Sequence, residues 1–235
     1  MVPWGAQFMA VNTLAIQALR NAVIGVIALA ALIFLPAGTL DYWQAWVFIV
    51  AFTAATSAIG IYLVLKDPAL LERRIKAGPT AETRTSQRII SALAFLGLLG
   101  VMVFSAVDHR FMWSHVPLYV SVAGDVLVSL GLFIDLLVLK ENTYGASTIQ
   151  VIEGQHVIST GPYAIVRHPM YAGALVMMVG IPLALGSWWG LVVLVLSMPV
   201  LVLRILDEEK LLTQDLPGYT EYMRQVRYRL VPFVW

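Results

Sequence analysis

Two polar clusters in the C-terminal third of the chain contain most of the side chains that could perform chemistry. The first predicts a turn at Gly161 and a helix start at Pro169, where backbone N–H groups remain available to a polar ligand. Arginine and histidine at a membrane boundary often only anchor a helix to headgroups. The dense mixture of donors, acceptors and aromatic rings favours a binding site instead. Its polar members are Gln155, His156, Tyr163, Arg167, His168 and Tyr171.

The second cluster begins at Arg204, after a long apolar stretch. Arg204 and Glu208 are four residues apart and therefore lie on one face of a predicted helix. Alone, they could be an ordinary surface salt bridge. Beside the first cluster, they predict an arginine and a carboxylate at the mouth of one site. A basic aromatic stripe follows, and interfacial anchoring explains most of its members, which are Tyr219, Tyr222, Arg227, Tyr228 and Arg229.

Composition excludes several other kinds of chemistry. The chain has no cysteine, which rules out a thiolate nucleophile and a thiolate metal site. The histidines have no metal-ligand spacing, and no Gly-x-Gly-x-x-Gly motif is present, so we predict no metal and no dinucleotide-binding fold. A formal net charge of +1 makes nucleic acid an unsuitable partner.

Hydropathy places these clusters on an integral membrane protein. Hydrophobic residues make up 60% of the chain and charged residues 12%, and the mean hydropathy is +0.82. Runs of about 20 residues with few charges predict transmembrane helices. We predict an all-α integral membrane protein of about five transmembrane segments, the last a helical hairpin. The first four lie between Arg20 and Asp41, Asp41 and Lys66, Arg88 and Asp108, and Val116 and Leu139; the hairpin spans Pro169 to Leu203 and turns at Gly186 to Gly190.

The predicted organisation is a single membrane domain over residues 1–235. Residues 1–20 form an interfacial N-terminal helix and residues 21–139 form four transmembrane helices. Residues 140–235 form a catalytic region with a polar loop, the hairpin and a C-terminal helix that begins at Arg204.

Charge placement predicts the orientation in the membrane. Basic residues are concentrated in the loop over residues 66–88, which predicts that this loop is cytoplasmic. Counting spans then places both termini, the polar loop and the cofactor site at the cytoplasmic face. We expect a bacterial inner membrane. Asp125 falls inside the fourth span, where a carboxylate is costly unless it is paired, protonated or next to a wet cavity.

The segment from Thr160 to Tyr171, T-G-P-Y-A-I-V-R-H-P-M-Y, is followed by R-x-x-x-E-E-x-x-L from Arg204 to Leu212. Together they resemble the isoprenylcysteine carboxyl methyltransferase family and its bacterial relatives, over roughly residues 140–232. The resemblance implies that S-adenosylmethionine is the cofactor, that S-adenosylhomocysteine is the product, and that a lipophilic substrate enters from the membrane lipid. It implies that Arg204 orients a substrate carboxylate and that Arg204 and Glu208 are catalytic. The implied cofactor contacts are Gln150, Gln155, His156, Val157, Ile158, Gly161, Tyr163, Arg167, His168, Pro169, Met170, Tyr171 and Glu208.

Physical chemistry agrees with methyl transfer. A sulfonium cation is stabilised by aromatic faces and a carboxylate, which Tyr163, Tyr171 and Glu208 could supply. A carboxylate acceptor is already ionised at neutral pH and needs no general base. A phospholipid amine or a small thiol remains an alternative acceptor, and would require Glu208 or His168 to help remove a proton.

Two alternatives belong to other classes. One is an NADPH-dependent sterol or quinone reductase, which would need a basic cluster for the cofactor's 2′-phosphate. The other is a non-enzymatic scaffold or small transporter. Asp125 in the fourth span is the only residue that favours this alternative.

Overall fold

The described chain is helical throughout. The computed structural model describes residues 4–75, 82, 84–144 and 154–235, and these parts of the chain contain helices and turns but no strand. The prediction of an all-α protein is confirmed. A 3-10 turn over Gly161–Ala164 precedes α6. The helices are α1 (Trp4–Ala37), α2 (Trp43–Lys66), α3 (Pro68–Ile75), α4 (Thr85–Phe111), α5 (Leu118–Glu141), α6 (Pro169–Ala184), α7 (Trp189–Asp215) and α8 (Tyr219–Gln225).

Five of the helices in the described ranges are long and apolar enough to cross a membrane: α1 from Ile16 onward, α2, α4, α5 and α7. Their outward surfaces carry large apolar side chains, of which Ile61 is 61% exposed, Leu96 60% and Leu196 75%. Surfaces of this kind are stable against lipid, whereas in water they would form extended apolar patches. The protein is therefore a multi-pass membrane protein.

The predicted hairpin is confirmed, although its two helices differ in length. Helix α6 has 16 residues and, at about 1.5 Å per residue, is shorter than the roughly 30 Å of membrane hydrocarbon. Residues 185–188 turn the chain into α7. The turn is held by the hydroxyl of Tyr42, which donates to the Leu185 carbonyl at 2.5 Å, and by the Trp188 N–H, which donates to Ser114 Oγ at 3.1 Å.

Two predicted helix boundaries are absent. Helix α1 runs without a break from Trp4 to Ala37, because a lone Arg20 has good helix propensity and does not stop a helix. The structure therefore shows no separate helix over residues 1–20, and the interfacial position of that segment stays a prediction. Similarly, α7 continues past Arg204 to Asp215, since no glycine or proline interrupts the chain between Pro199 and Pro217.

The short helix α3 was not predicted from the sequence. It begins with Pro68, a favourable residue in a first helical turn, and its N-terminus is capped by Asp67, whose Oδ1 accepts the Leu70 N–H at 2.9 Å. Leu70 and Leu71 pack against Leu63 of α2 and Leu139 of α5. These contacts hold α3 against the end of the helical bundle.

Glycines bring α5 and α6 into backbone contact. A Cβ added to Gly131 would lie 2.5 Å from the Gly173 carbonyl oxygen, and one added to Gly180 would lie 2.6 Å from the Gly124 carbonyl oxygen. Small residues at such positions are how membrane helices approach closely. The contact fixes the start of α6 beside the end of α5, where the two polar clusters meet.

Candidate active site

A cavity of about 390 Å³ lies at the end of the bundle where α5 ends and α6 begins. This volume is within the usual range for small-molecule sites. Most of the residues predicted from the sequence lie in its wall: Gln155, His156, Val157, Ile158, Tyr163, Arg167, His168, Pro169, Met170, Tyr171, Arg204 and Glu208. The wall also contains residues that sequence reasoning missed, which are Arg74, Asp135, Asn142, Tyr144, Ala174, Leu212, Leu216, Tyr219 and Tyr222.

Two predicted cofactor contacts are not in this wall. Gln150 lies outside the described residues. Gly161 has φ +56°, and a Cβ there would lie 2.9 Å from Glu141 Oε2, so the turn before α6 requires glycine for its own geometry. The structure gives Gly161 a role in shaping the loop, and its predicted cofactor contact stays a prediction.

The predicted catalytic pair is bridged by a tyrosine from the neighbouring helix. The Tyr171 hydroxyl donates to Glu208 Oε2 at 2.6 Å. Arg204 Nε in turn donates to the Tyr171 oxygen at 3.0 Å. The four-residue spacing of Arg204 and Glu208 thus places both on the cavity side of α7, where Tyr171 of α6 links them.

The remaining nitrogens of Arg204 face residues near the start of α4. Nη2 pairs with Glu82 Oε1 at 3.2 Å, and the Glu82 side chain is only 2% exposed. Nη1 donates to Gln87 Oε1 at 3.1 Å and to Ser91 Oγ. The charge of Arg204 is therefore balanced by Glu82, a partner that sequence reasoning missed because it lies more than a hundred residues away.

Glu209 is the centre of a buried ionic cluster. Its oxygens accept from Arg167 Nε at 2.7 Å and Arg229 Nε at 2.8 Å, and lie 3.3 Å from His168 Nε2. Successive helical residues differ by about 100° in direction. Glu208 consequently faces the cavity, while Glu209 faces the C-terminal segment, which we define as residues 226–235.

The Arg-His dipeptide ties that C-terminal segment to the site. The backbone N–H groups of Arg167 and His168 donate to the carbonyls of Tyr228 and Arg229, both at 2.9 Å. Arg167 Nη1 also donates to the Val226 carbonyl at 3.1 Å. Although both side chains lie in the cavity wall, these contacts give them a positioning role. Their predicted contacts with the cofactor stay predictions.

Three tyrosines form an aromatic side of the cavity. Asn142 Nδ2 donates to the Tyr163 hydroxyl at 2.8 Å, and the Tyr222 hydroxyl donates to the Tyr163 carbonyl at 2.8 Å. Burial raises the pKa of Tyr163 to about 12, so its phenol is neutral at physiological pH. Tyr219 and Tyr222 are each 4% exposed. Interfacial anchoring is therefore the wrong interpretation for these two residues, because they pack inward against the loop.

Comparison with known proteins indicates the class of protein. Residues 119–217 match the family model described as phospholipid methyltransferase. The match covers less than half of the 235 residues, but it includes α5 from its second residue, the polar loop, α6 and α7. No curated protein matches the chain in a sequence search.

The match and the five apolar helices together indicate a membrane methyltransferase. The phospholipid methyltransferases and the isoprenylcysteine carboxyl methyltransferases belong to one group of membrane methyltransferases. The match supports that wider group and gives no support to the reductase alternative.

Proposed function

We propose that this protein transfers a methyl group from S-adenosylmethionine to the carboxylate of a lipophilic acceptor. The observation that carries the proposal is the cavity itself. Its wall brings Tyr171, Arg204 and Glu208 from α6 and α7 against Tyr163 of the loop before α6 and against Tyr219 and Tyr222 of α8. One opening thus contains a carboxylate, a guanidinium and several ring faces at one end of the bundle.

The wall offers partners for each part of the cofactor. Val157, Leu212, Leu216 and Tyr222 pack together as an apolar surface suited to a purine ring. The Tyr219 hydroxyl is buried and has no hydrogen-bond partner among the described residues, so a polar ligand group could satisfy it. The first N–H groups of α6, which have no acceptor within the helix, favour a ligand carboxylate.

Glu208 and the tyrosine faces suit the sulfonium centre. When bound, S-adenosylmethionine supplies an electrophilic methyl group attached to a positively charged sulfur. Glu208 stabilises positive charge, and Tyr171 holds that carboxylate through a hydrogen bond of 2.6 Å. Arg204, in contact with Tyr171 and Glu82, keeps the tyrosine in place.

The reaction requires little proton chemistry. A bond forms between the acceptor oxygen and the methyl carbon as the carbon–sulfur bond breaks, and the electron pair of that bond stays on sulfur. No proton leaves the acceptor, because its carboxylate is already ionised. The residues of the wall have to align the acceptor and exclude water.

A phospholipid amine is the second candidate acceptor, because the family model that matches residues 119–217 is described by that activity. An amine must lose a proton before or during methyl transfer, and Glu208 or His168 would have to help remove it. Base treatment of the product separates the two candidates, since a methyl ester is hydrolysed and an N-methyl group is not.

The cofactor assignment is tested by titration of the detergent-purified protein with S-adenosylhomocysteine, with NADPH as the comparison. We expect micromolar binding of the first and none of the second. Glu208→Ala should weaken binding roughly tenfold or more, whereas Glu221→Ala should not, because Glu221 is exposed on α8 outside the cavity. Binding of NADPH alone, or equal affinity in both variants, would contradict the proposal.

A further inference from the structure

The membrane-side floor of the cavity includes two charged residues, Arg74 and Asp135, that have no role in the proposed chemistry so far. We define this floor as Arg74, Asp135, Ala174 and Arg204, all of which lie in the cavity wall. Ala174 follows Met170 by one turn of α6, and Arg204 precedes Glu208 by one turn of α7, so both lie nearer the hairpin turn. These residues therefore lie on the side of the cavity that faces the apolar parts of α6 and α7.

The two arginines of the floor have different surroundings. Arg204 has a buried carboxylate partner in Glu82 and donates to three further side chains. Nη1 of Arg74 instead lies 3.9 Å from the sulfur of Met170, a neutral and weak acceptor. Among the described residues, none of the ion pairs within 4.0 Å includes Arg74. An acceptor carboxylate at Arg204 would compete with Glu82, whereas at Arg74 it would displace no ion-pair partner within 4.0 Å in the described parts of the chain.

Burial makes Arg74 favourable for an anionic ligand. Burial lowers the pKa of Arg74, and the negative charge of Asp135 opposes that effect. A guanidinium that is removed from water and not directly paired gains most from a carboxylate ligand. The packing of Leu70 and Leu71 in the same helix fixes its position at the floor.

Asp135 limits what can bind beside Arg74. Its Oδ1 is buried without a hydrogen-bond partner among the described residues. A Cβ added to Gly173 would lie 2.5 Å from this oxygen, which shows how tightly the carboxylate packs against α6. When ionised, Asp135 attracts the Arg74 guanidinium and repels a second anionic group on the ligand.

We propose that Arg74, rather than Arg204, binds the acceptor carboxylate, and that Asp135 restricts the site to acceptors with a single negative charge. This inference rests on the proposed function, and names the residue that recognises the acceptor. Arg204 then serves as a positioning residue for Tyr171 and Glu208.

The test is binding of a lipid carboxylate to Arg74→Gln, with Arg73→Gln as the matched control. Arg73 lies on the same helix, but its Nη2 donates to the Thr143 carbonyl at 2.6 Å, and it is not in the cavity wall. N-acetyl-S-farnesylcysteine is titrated into each protein saturated with S-adenosylhomocysteine. We expect Arg74→Gln to raise the Kd of this acceptor roughly tenfold or more, with the control close to the parent. Arg74→Lys should fall between them because it keeps the charge but loses the planar fork.

Titration of S-adenosylhomocysteine alone separates this inference from the proposed function. If Arg74→Gln binds both ligands as the parent does, Arg74 is not the acceptor site, and the methyltransferase proposal is unaffected. If the parent does not bind S-adenosylhomocysteine, the proposed function itself fails. Asp135→Asn should bind the carboxylate more tightly, because a repelling charge is removed. Weaker binding in that variant, or no binding of the carboxylate by the parent, would overturn the inference.

Discussion

Replacement of Glu209 by glutamine should release the C-terminal segment from the site. Glu209 is 6% exposed and interacts with Arg167, His168 and Arg229 through its two oxygens. Glutamine has the same shape but no charge, so the Arg167 guanidinium, whose side chain is 7% exposed, would remain buried without its counter-ion.

The size of the effect follows from that burial. Removing one partner of a buried ion pair costs about 3–5 kcal/mol. We take about 3 kcal/mol, since glutamine can still accept one hydrogen bond, and this corresponds to roughly a hundredfold change in an opening equilibrium. The exposed pair of Glu221 and Arg224, with side chains 61% and 74% exposed, is worth less than about 1 kcal/mol.

Hydrogen exchange measures this opening directly. The N–H groups of Arg167 and His168 donate to the carbonyls of Tyr228 and Arg229, so they exchange only when the C-terminal segment detaches. We expect exchange at these two amides to accelerate roughly a hundredfold in Glu209→Gln and by less than about fivefold in Glu221→Gln. Equal rates in the two variants would refute the conclusion that Glu209 holds the segment in place.

Four further predictions concern other parts of the molecule. Arg204→Lys keeps a charge for Glu82 but loses the fork that reaches Tyr171, so turnover should fall roughly tenfold with binding of S-adenosylhomocysteine nearly unchanged; normal turnover would contradict the positioning role. Gly131→Ala should lower the melting temperature, because overpacking costs about 1–3 kcal/mol, while Gly25→Ala, with open space around it, should not. Asp125→Asn should reduce methyl transfer only slightly, and complete loss would favour the transporter alternative. Because the chain lacks cysteine, a single introduced cysteine reports orientation when intact cells are treated with a membrane-impermeant thiol reagent. Thr39→Cys should react in intact cells, and Thr220→Cys should react only after the membrane is permeabilised. The reverse pattern would invert the predicted topology.

The transmembrane organisation could be predicted from the sequence because it depends on local composition. Charge-poor runs and the glycine and tryptophan residues of the hairpin turn identify the spans without knowledge of their neighbours. The boundary expected at Arg20 was wrong, because a single charge does not end a helix. Helix α3 was missed because it is only 8 residues long, and its cap at Asp67 is a weak signal amid basic residues.

The candidate site could be predicted only in part. Tyr171, Arg204 and Glu208 were found because they occur in short motifs with helical spacing. Glu82 and Arg74 come from the loop between the second and third predicted spans. Nothing in their local sequence indicates that α3 brings Arg74 to the cavity wall or that Glu82 pairs with Arg204. Glu209 was visible as a charge, but its ionic cluster depends on the C-terminal segment folding back over α7. Long-range contacts of this kind are set by tertiary packing.

The most direct test of the central claim is transfer of a labelled methyl group. The purified protein is incubated with methyl-labelled S-adenosylmethionine and N-acetyl-S-farnesylcysteine, and label is counted in the lipid phase before and after base treatment. We predict that the parent transfers base-labile label and that Glu208→Ala loses most of this activity while Glu221→Ala retains it. Absence of transfer by the parent to this acceptor and to a phospholipid amine, or equal transfer by the two variants, would contradict the assignment of methyl transfer to this cavity.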